Sequence, residues 1–179
     1  MHTMPTDEAG QPPGLRLYGE QDLSALDALA DPSQLAMLGL YVCDLSDLGP
    51  LAQLSQLTTL DVQWCQQVSD LSPLAELTQL TRLDLSFCRL IKDLSPLAGL
   101  TQLTRLCLQG CEQVSDLSPL AGLSQLTSLS LAWCRKVSDL SPLAGLSQLT
   151  DLDLRGCARR IHAAQLRPLA GLPHLTILR

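Results

Sequence analysis

The stretch Leu80 to Gln102 reads LTRLDLSFCRLIKDLSPLAGLTQ, and the next two segments, 103–125 and 126–148, are copies of it with small edits. The copies read LTRLCLQGCEQVSDLSPLAGLSQ and LTSLSLAWCRKVSDLSPLAGLSQ. Self-similarity at a fixed spacing is the signature of a repeat protein, in which each unit packs mainly against its neighbours. The shared positions therefore specify the fold, and the positions that differ are where function is expected.

Each unit combines a short strand with a tight turn. Units begin at residues 35, 57, 80, 103, 126 and 149, and a partial unit begins at 175. The alternation Leu83-Asp84-Leu85 has period two and predicts a strand with the leucines inward and Asp84 outward. The Ser-Pro-Leu-Ala-Gly segment predicts a single 3₁₀ or α turn. We expect serines such as Ser72 to cap this turn and glycines such as Gly99 to leave it in a left-handed conformation.

These motifs resemble the leucine-rich repeats. The segment DLSPLAGLTQL is similar to bacterial internalin-type repeats, and the Cys-x-x-Val-x-Asp segment resembles the cysteine-containing repeats of F-box-type proteins. The cysteine stands where internalin repeats usually have asparagine. The resemblance implies an α/β repeat solenoid, a right-handed superhelix with a parallel concave β-sheet and short 3₁₀ or helical turns on the convex side. It also implies binding or scaffolding, since the family shares no single reaction.

The ends of the chain differ from the repeats. Residues 1–14 are predicted to form a flexible tail, residues 15–34 a degenerate N-terminal capping repeat, and residues 35–179 the solenoid. The last full unit is three residues longer than the others, and its His-Ala-Ala-Gln-Leu segment favours a full helical turn. The sequence ends within a predicted strand whose edge needs protection. The last segment is itself the cap, or the chain is a piece of a longer protein, or a partner covers this edge.

Composition and charge limit the classes of partner. The net charge of −6 argues against general nucleic-acid binding, and no apolar run approaches the roughly 20 residues that span a bilayer. Charge is uneven, because residues 1–80 contain 11 acidic and one basic residue whereas residues 81–179 contain 7 and 11. The polar start has no secretory signal. A cytoplasmic location with reduced thiols is expected, and secretion as an effector is the alternative.

The regular cysteines predict a structural role. Six of the seven occupy one slot of the repeat, where a small buried thiol can donate weakly to a loop carbonyl. They are Cys43, Cys65, Cys88, Cys111, Cys134 and Cys157. Metal ligation or a redox relay is the alternative, but zinc ligands must converge on one point. Cys107 differs because it faces outward, and a reactive role would need a lowered pKa.

No catalytic motif is present, so we expect neither an enzyme nor a cofactor. The sequence has no GxSxG, GxGxxG, P-loop or HExxH motif. His162 and His174 have no acidic residue or cysteine at ligand spacing, which favours solvated surface histidines over a metal site. The aspartates at 70, 93, 116 and 139 recur in every unit, which favours loop hydrogen bonds over cation binding.

The outward strand positions vary between repeats and carry all five aromatic residues. Exposed aromatics are enriched in binding hot spots, so we predict that a protein or peptide binds the concave face. Stacking of the aromatics on one another, or over the loop as peripheral core, is the alternative. The predicted contact residues are Tyr41, Trp64, Arg82, Asp84, Phe87, Arg105, Gly110, Trp133, Asp153 and Arg155.

Gly110 lies between Phe87 and Trp133 in the repeat register and has no side chain. Two aromatic walls over a glycine floor predict a slot for an apolar side chain, with Arg82 and Arg105 beside it to bind a carboxylate or a carbonyl.

A basic rim on the loops after the cysteines is a second candidate surface. It would bind an acidic partner, an anionic membrane surface or RNA, or it is an ordinary solvated rim. Its members are Arg89, Lys92, Arg135, Lys136, Arg159 and Arg160. A sensor, adaptor or effector fragment of a larger protein is the remaining alternative function.

Overall fold

The computed structural model describes residues 2–3, 14–29, 31–157 and 161–179. In this part of the chain nine strands form one sheet in sequence order, and all neighbours are parallel except the first pair. The strands are β1 (His2–Thr3), β2 (Gly14–Tyr18), β3 (Met37–Tyr41), β4 (Thr59–Gln63), β5 (Arg82–Asp84), β6 (Arg105–Cys107), β7 (Ser128–Ser130), β8 (Asp151–Asp153) and β9 (Thr176–Leu178). The predicted repeat solenoid with a parallel sheet is confirmed.

Short 3₁₀ turns connect the strands on the opposite side. They span Ser24–Ala28, Pro32–Gln34, Gly49–Gln53, Ser72–Glu76, Ser95–Leu97, Ser118–Leu120, Ser141–Gly145 and Arg167–Gly171. The helical turn predicted in the long last unit is α1 (Ala163–Leu166). In the segment predicted as a flexible tail, β1 pairs antiparallel with β2, and residues 4–13 lie outside the described residues.

The core is a continuous column of leucines between the sheet and the turns. In the repeat that starts at Leu80, the inward residues Leu83, Leu85, Cys88 and Ile91 are each no more than 2% exposed. Fully burying one such side chain contributes about 1.5–3 kcal/mol. Because each layer is covered by the next, most of this stabilisation requires neighbouring repeats.

Aspartate, not serine, caps the turns. The carboxylate of Asp116 accepts the backbone N–H of Ser118 at 2.8 Å, and the same bond recurs in the neighbouring units. The serine side chains make no capping bond, so the prediction for Ser72 is wrong. The carboxylate accepts a hydrogen bond from the backbone N–H two residues ahead of it, at the start of the turn, which makes a serine cap unnecessary. The predicted loop role of the aspartates is confirmed.

The last strand has a different register from the one that the repeat pattern predicts. Asp153 pairs with Leu178, although the pattern places Arg179 at that outward position. Ile177 takes the inward position opposite Leu152 and packs against the core, which leaves Leu178 half exposed. A shift of one residue exchanges the two faces of a strand, so Leu178 ends the outward column.

Candidate functional site

The concave face carries three outward columns, because every second residue of each strand points away from the core. The register places Arg82 opposite Arg105, and Asp61, Asp84 and Cys107 side by side in the next column. A third column, one further step along the strands, includes Ser86 and Arg155. Neighbouring members of a column are separated by about 4.8 Å, the spacing of strands.

The residue before each of the six regular cysteines, and Gly19 at the equivalent place in the first repeat, has a left-handed backbone. Four of these residues are large and apolar, with φ between 55° and 63°, and three are glycines with φ between 68° and 78°. The apolar members are Val42, Trp64, Phe87 and Trp133, and the glycines are Gly19, Gly110 and Gly156. Glycine adopts this conformation without strain, whereas other residues pay about 1–2 kcal/mol. The glycines Gly99, Gly122 and Gly145 are not in this region, so the prediction of a left-handed exit from the turn is wrong.

The aromatic residues at this edge lean along the stack toward the next repeat. Trp64 stacks on Phe87 with ring centroids 4.0 Å apart and an interplanar angle of 12°. A Cβ placed on Gly110 would lie 2.6 Å from Cδ1 of Phe87, and one placed on Gly156 would lie 2.5 Å from Cδ2 of Trp133. Each glycine is therefore covered by the aromatic ring of the preceding repeat.

The open slot predicted between Phe87 and Trp133 is wrong for this reason. The Phe87 ring fills the space above Gly110, so the two aromatics do not form facing walls. Stacking, the alternative for the aromatics, occurs at Trp64 and Phe87 and also between Tyr18 and Tyr41, whose centroids are 5.0 Å apart. We call Trp64, Phe87 and Trp133 the edge aromatics.

Stacking does not bury the edge aromatics. Trp64 is 42% exposed and Trp133 is 48% exposed, while Phe87 is half-buried between Trp64 and Gly110. The guanidinium of Arg135 lies 5.9 Å from the centre of the Trp133 ring, within reach of a cation–π contact. The edge therefore presents apolar surface of both tryptophans to solvent.

The acidic groups of the concave face are engaged by neighbours. Asp84 accepts hydrogen bonds from Nε2 of Gln63 at 3.2 Å and from the backbone N–H and hydroxyl of Ser86. The Tyr41 hydroxyl donates to Asp61 at 3.0 Å. Partial burial raises the pKa of Asp61, and the charge of Asp84 adds to the effect. Burial and the nearby Asp61 raise the pKa of Tyr41 to about 12.

Asp153 of the second column and Arg155 of the third form a closed pair on the concave face. Nη2 of Arg155 lies 2.6 Å from Oδ2 of Asp153, and Nε lies 3.0 Å from Oδ1. This fork holds the pKa of Asp153 below its usual value. The two predicted contact residues thus already bind each other in the free chain.

An open depression of about 270 Å³ lies over β4 to β7. Asp61, Asp84 and Cys107 line one side of it, and Arg82 and Arg105 line the other. Ser128 and Ser130, neither of which was predicted from the sequence, extend the lining to β7.

The six regular cysteines are buried and donate to backbone carbonyls. Sγ of Cys88 lies 3.0 Å from the carbonyl oxygen of Val62 in the preceding repeat, and Cys111 and Cys134 make equivalent contacts at 3.1 and 3.0 Å. Burial raises the pKa of the Cys88 thiol to about 12. Partial burial also raises the pKa of Cys107, the opposite of what a reactive thiol requires.

The basic rim is partly engaged by its own neighbours. Nε of Arg89 lies 3.7 Å from Oε1 of Glu112, and Nζ of Lys136 donates to the side chain of Gln113. Arg135 faces Trp133, as described above, and Lys92 is exposed. Arg159 and Arg160, which were also assigned to this rim, lie outside the described residues.

His162 and His174 are exposed, as expected for surface histidines. Within residues 14–29, 31–157 and 161–179, no three side chains of His, Cys, Asp or Glu are grouped closely enough to hold a metal ion. None of the described helices has the length and apolar character needed to cross a membrane.

Comparison with known proteins identifies the family. Residues 78–122 match the model of the family described as leucine-rich repeats (2 copies). Internalin C2 of Listeria monocytogenes is 35% identical, with a TM-score of 0.67, and the match covers 92% of this chain and 70% of that one. Internalin F of the same organism is 30% identical over 89% of this chain, with a TM-score of 0.62, and this chain spans only 50% of its length.

The fold extends to a more distant protein. The leucine-rich repeat domain of the type III effector XopL superposes with a TM-score of 0.63 at 22% identity, over 92% of this chain and 67% of that one. No curated protein sequence matches the chain. The family model and the two internalin structures together show that the chain belongs to the leucine-rich repeat family and resembles the bacterial internalins.

Proposed function

We propose that the chain is a non-catalytic module that binds a protein or peptide on its concave face. The edge aromatics are the anchors. Tyr41 and the polar residues of the outward columns orient the partner. These polar residues are Arg82, Asp84, Arg105, Asp153 and Arg155. Leucine-rich repeat proteins generally mediate protein–protein interactions, and the internalin-like fold is typically a binding scaffold without enzymatic activity.

The left-handed backbone of the edge aromatics is the observation that supports this proposal. Three repeats satisfy the position with glycine, which is the residue that the conformation favours. Trp64, Phe87 and Trp133 instead accept strain of about 1–2 kcal/mol each, and the two tryptophans still expose nearly half of their surface. Strain and apolar exposure at one site both lower stability or solubility, a combination that points to a binding surface.

A capture experiment tests the proposal. The wild-type chain and a Trp64→Gly/Trp133→Gly variant are immobilised and exposed to lysate of the source cell, and the retained proteins are quantified by mass spectrometry. Glycine is used because it fits the left-handed backbone. Leu90→Ala is the matched control, since Leu90 is an apolar residue that is 49% exposed and lies on the loop after the cysteine.

The expected result is a partner retained by the wild type and by Leu90→Ala but lost from the double variant. Circular dichroism establishes that all three proteins are folded. If the folded double variant keeps every partner of the wild type, the concave edge is not the binding surface.

Electrostatic binding through the basic rim is the second candidate. A salt titration of the wild type and of Lys92→Gln/Lys136→Gln separates the two. Binding by the rim weakens steeply with ionic strength and should lose part of that dependence in the variant, whereas binding through the aromatics and arginines of the concave face should respond to salt equally in both proteins. The contacts of Arg89 with Glu112 and of Lys136 with Gln113 reduce the charge that the rim offers a partner. A role as a sensor, adaptor or effector segment of a larger protein is compatible with concave-face binding. This chain spans only half of the length of internalin F. The seven free cysteines favour a reducing compartment such as the cytoplasm.

A further inference from the structure

Two arginines face each other on neighbouring strands of the concave sheet. Arg82 of β5 is in register with Arg105 of β6, and both side chains are exposed. Like charges directly opposite in a sheet destabilise it. Among the described residues, neither guanidinium forms an ion pair within 4.0 Å or a side-chain hydrogen bond, although carboxylates line the same depression.

The nearby aspartates form no ion pair with Arg82 or Arg105, because other donors hold them, although the charge of Arg82 still acts on Asp61 and lowers its pKa against the effect of burial. Both oxygens of Asp84 are occupied, one by Ser86 and the other by Gln63, and Tyr41 binds Asp61. The contrast with Arg155 is direct, since that arginine donates to both carboxylate oxygens of Asp153 in its own repeat. Asp84 and Asp153 are therefore satisfied by other groups of the described chain, whereas the forked donors of Arg82 and Arg105 are free.

We propose that Arg82 and Arg105 bind a side-chain carboxylate, an aspartate or glutamate of the partner segment. The inference rests on the concave-face function proposed above and specifies the chemistry of the partner. Guanidinium groups match carboxylates in geometry, and two of them on adjacent strands can each donate to one oxygen or grip it in a fork.

The position of the pair favours an internal acidic residue over a chain terminus. Arg82 and Arg105 lie on the middle strands of the depression, which continues over β4 on one side and β7 on the other. A segment that crosses the face can fill both sides, whereas a terminal carboxylate would leave one side empty. A phosphate is disfavoured because its second negative charge would meet Asp61 and Asp84 in the same depression.

The distance to the edge aromatics adds a spacing rule. Arg82 and Phe87 are five residues apart along one repeat. A strand rises about 3.3 Å per residue and the chain turns after β5, so the two subsites are separated by at most roughly 17 Å. An extended partner covers this distance in about four or five residues. The expected recognition sequence is an acidic residue with an apolar residue about four or five positions away.

Selection from a library of random linear peptides displayed with blocked C-termini tests the inference. The library is selected separately on the wild type, on Arg82→Gln/Arg105→Gln and on Trp64→Gly/Trp133→Gly. Lys92→Gln/Lys136→Gln, which removes two charges from the basic rim, is the matched control. Individual peptides are then synthesised, and their affinities are measured by isothermal titration calorimetry, together with versions in which the acidic residue is replaced by its amide or by phosphoserine.

The wild type and the rim control are expected to select peptides that have an acidic residue with an apolar residue about four or five positions away. Arg82→Gln/Arg105→Gln is not expected to select such peptides. The arginine variant should bind a selected peptide about tenfold more weakly than the wild type does. The amide version of the peptide should bind the wild type with a similar loss of affinity, and the arginine variant should not weaken the binding of the amide version further. The variant should melt no lower than the wild type, because it removes a like-charge contact.

Two results overturn the inference. One is an equal yield of acidic peptides, or of no peptides, from the wild type and the arginine variant. The other is tighter binding of the phosphoserine version. If selected peptides depend on the tryptophans but not on the arginines, concave-face binding stands and this inference fails. If they bind the tryptophan variant as well as the wild type, the proposed function itself fails.

Discussion

Replacing Gly110 with alanine tests how the edge of the concave face is built. The residue has φ 72°, and an added Cβ would lie 2.6 Å from Cδ1 of Phe87. The left-handed conformation costs an alanine roughly 1–2 kcal/mol, and displacing the Phe87 ring weakens a stack with Trp64 worth about 0.5–1.5 kcal/mol. Alanine also restricts the unfolded chain, which returns about 0.4–1 kcal/mol. We expect Gly110→Ala to lower the free energy of unfolding by about 2 kcal/mol.

Gly122→Ala is the matched control for this substitution. Gly122 is exposed, has no left-handed φ, and an added Cβ would have no atom within 4 Å. Alanine should therefore stabilise the chain there by about 0.4–1 kcal/mol. Urea unfolding followed by circular dichroism measures both variants against the wild type. Equal stability of the two variants would refute the covered-glycine geometry.

Three further predictions concern the structural columns. Cys88→Ala should lower the free energy of unfolding by about 1–3 kcal/mol, because the buried carbonyl of Val62 loses its donor. Cys107→Ala should lower it by less, and an equally large loss of stability at Cys107 would contradict this prediction. Burial raises the thiol pKa of Cys65 and Cys88 from 9.0 to about 12, so the unfolded chain ionises first and stability should fall between pH 9 and 12. A pH titration of urea midpoints should show a shallower fall in Cys88→Ala, and an unchanged slope would exclude this thiol as a cause. The Ser118 hydroxyl and backbone N–H lower the pKa of Asp116, so its contribution to the free energy of unfolding is present above pH 3.8 and is lost as the pH falls through the depressed pKa. Asp116→Ala should therefore lose less stability on acidification than the wild type does, and an identical acid transition of the two proteins would contradict the capping role.

The repeat pattern was sufficient to predict the architecture. The leucines recur at fixed spacing and can all be buried only if every unit turns the same face inward. This requirement specifies the strands, their parallel order and the buried core. The cysteine slot was also predictable, since a small residue that recurs in every unit next to a strand end must serve the fold. Local backbone chemistry was harder, because serine and aspartate are both good caps and only geometry shows that the carboxylate of Asp116 reaches the N–H of Ser118.

The shape of the candidate site could not be derived from column membership alone. The sequence shows that Phe87, Gly110 and Trp133 share one column. It does not show in which direction an aromatic ring points from a residue with a left-handed backbone. A signal was available, since glycine recurs at 19, 110 and 156 in the same column and often marks a positive φ. Likewise, a shift of one residue in β9 exchanges Leu178 with Arg179, and no composition rule detects it.

The most direct test of concave-face binding is the affinity of one ligand, selected on the wild-type chain, for the wild type and for folded Trp64→Gly/Trp133→Gly. One hot-spot aromatic contributes about 2 kcal/mol or more, so isothermal titration calorimetry should show a loss of at least about thirtyfold even if only one of the two tryptophans is an anchor. Leu90→Ala should bind as the wild type does. An unchanged affinity in the folded double variant would contradict the claim that the edge aromatics anchor the partner.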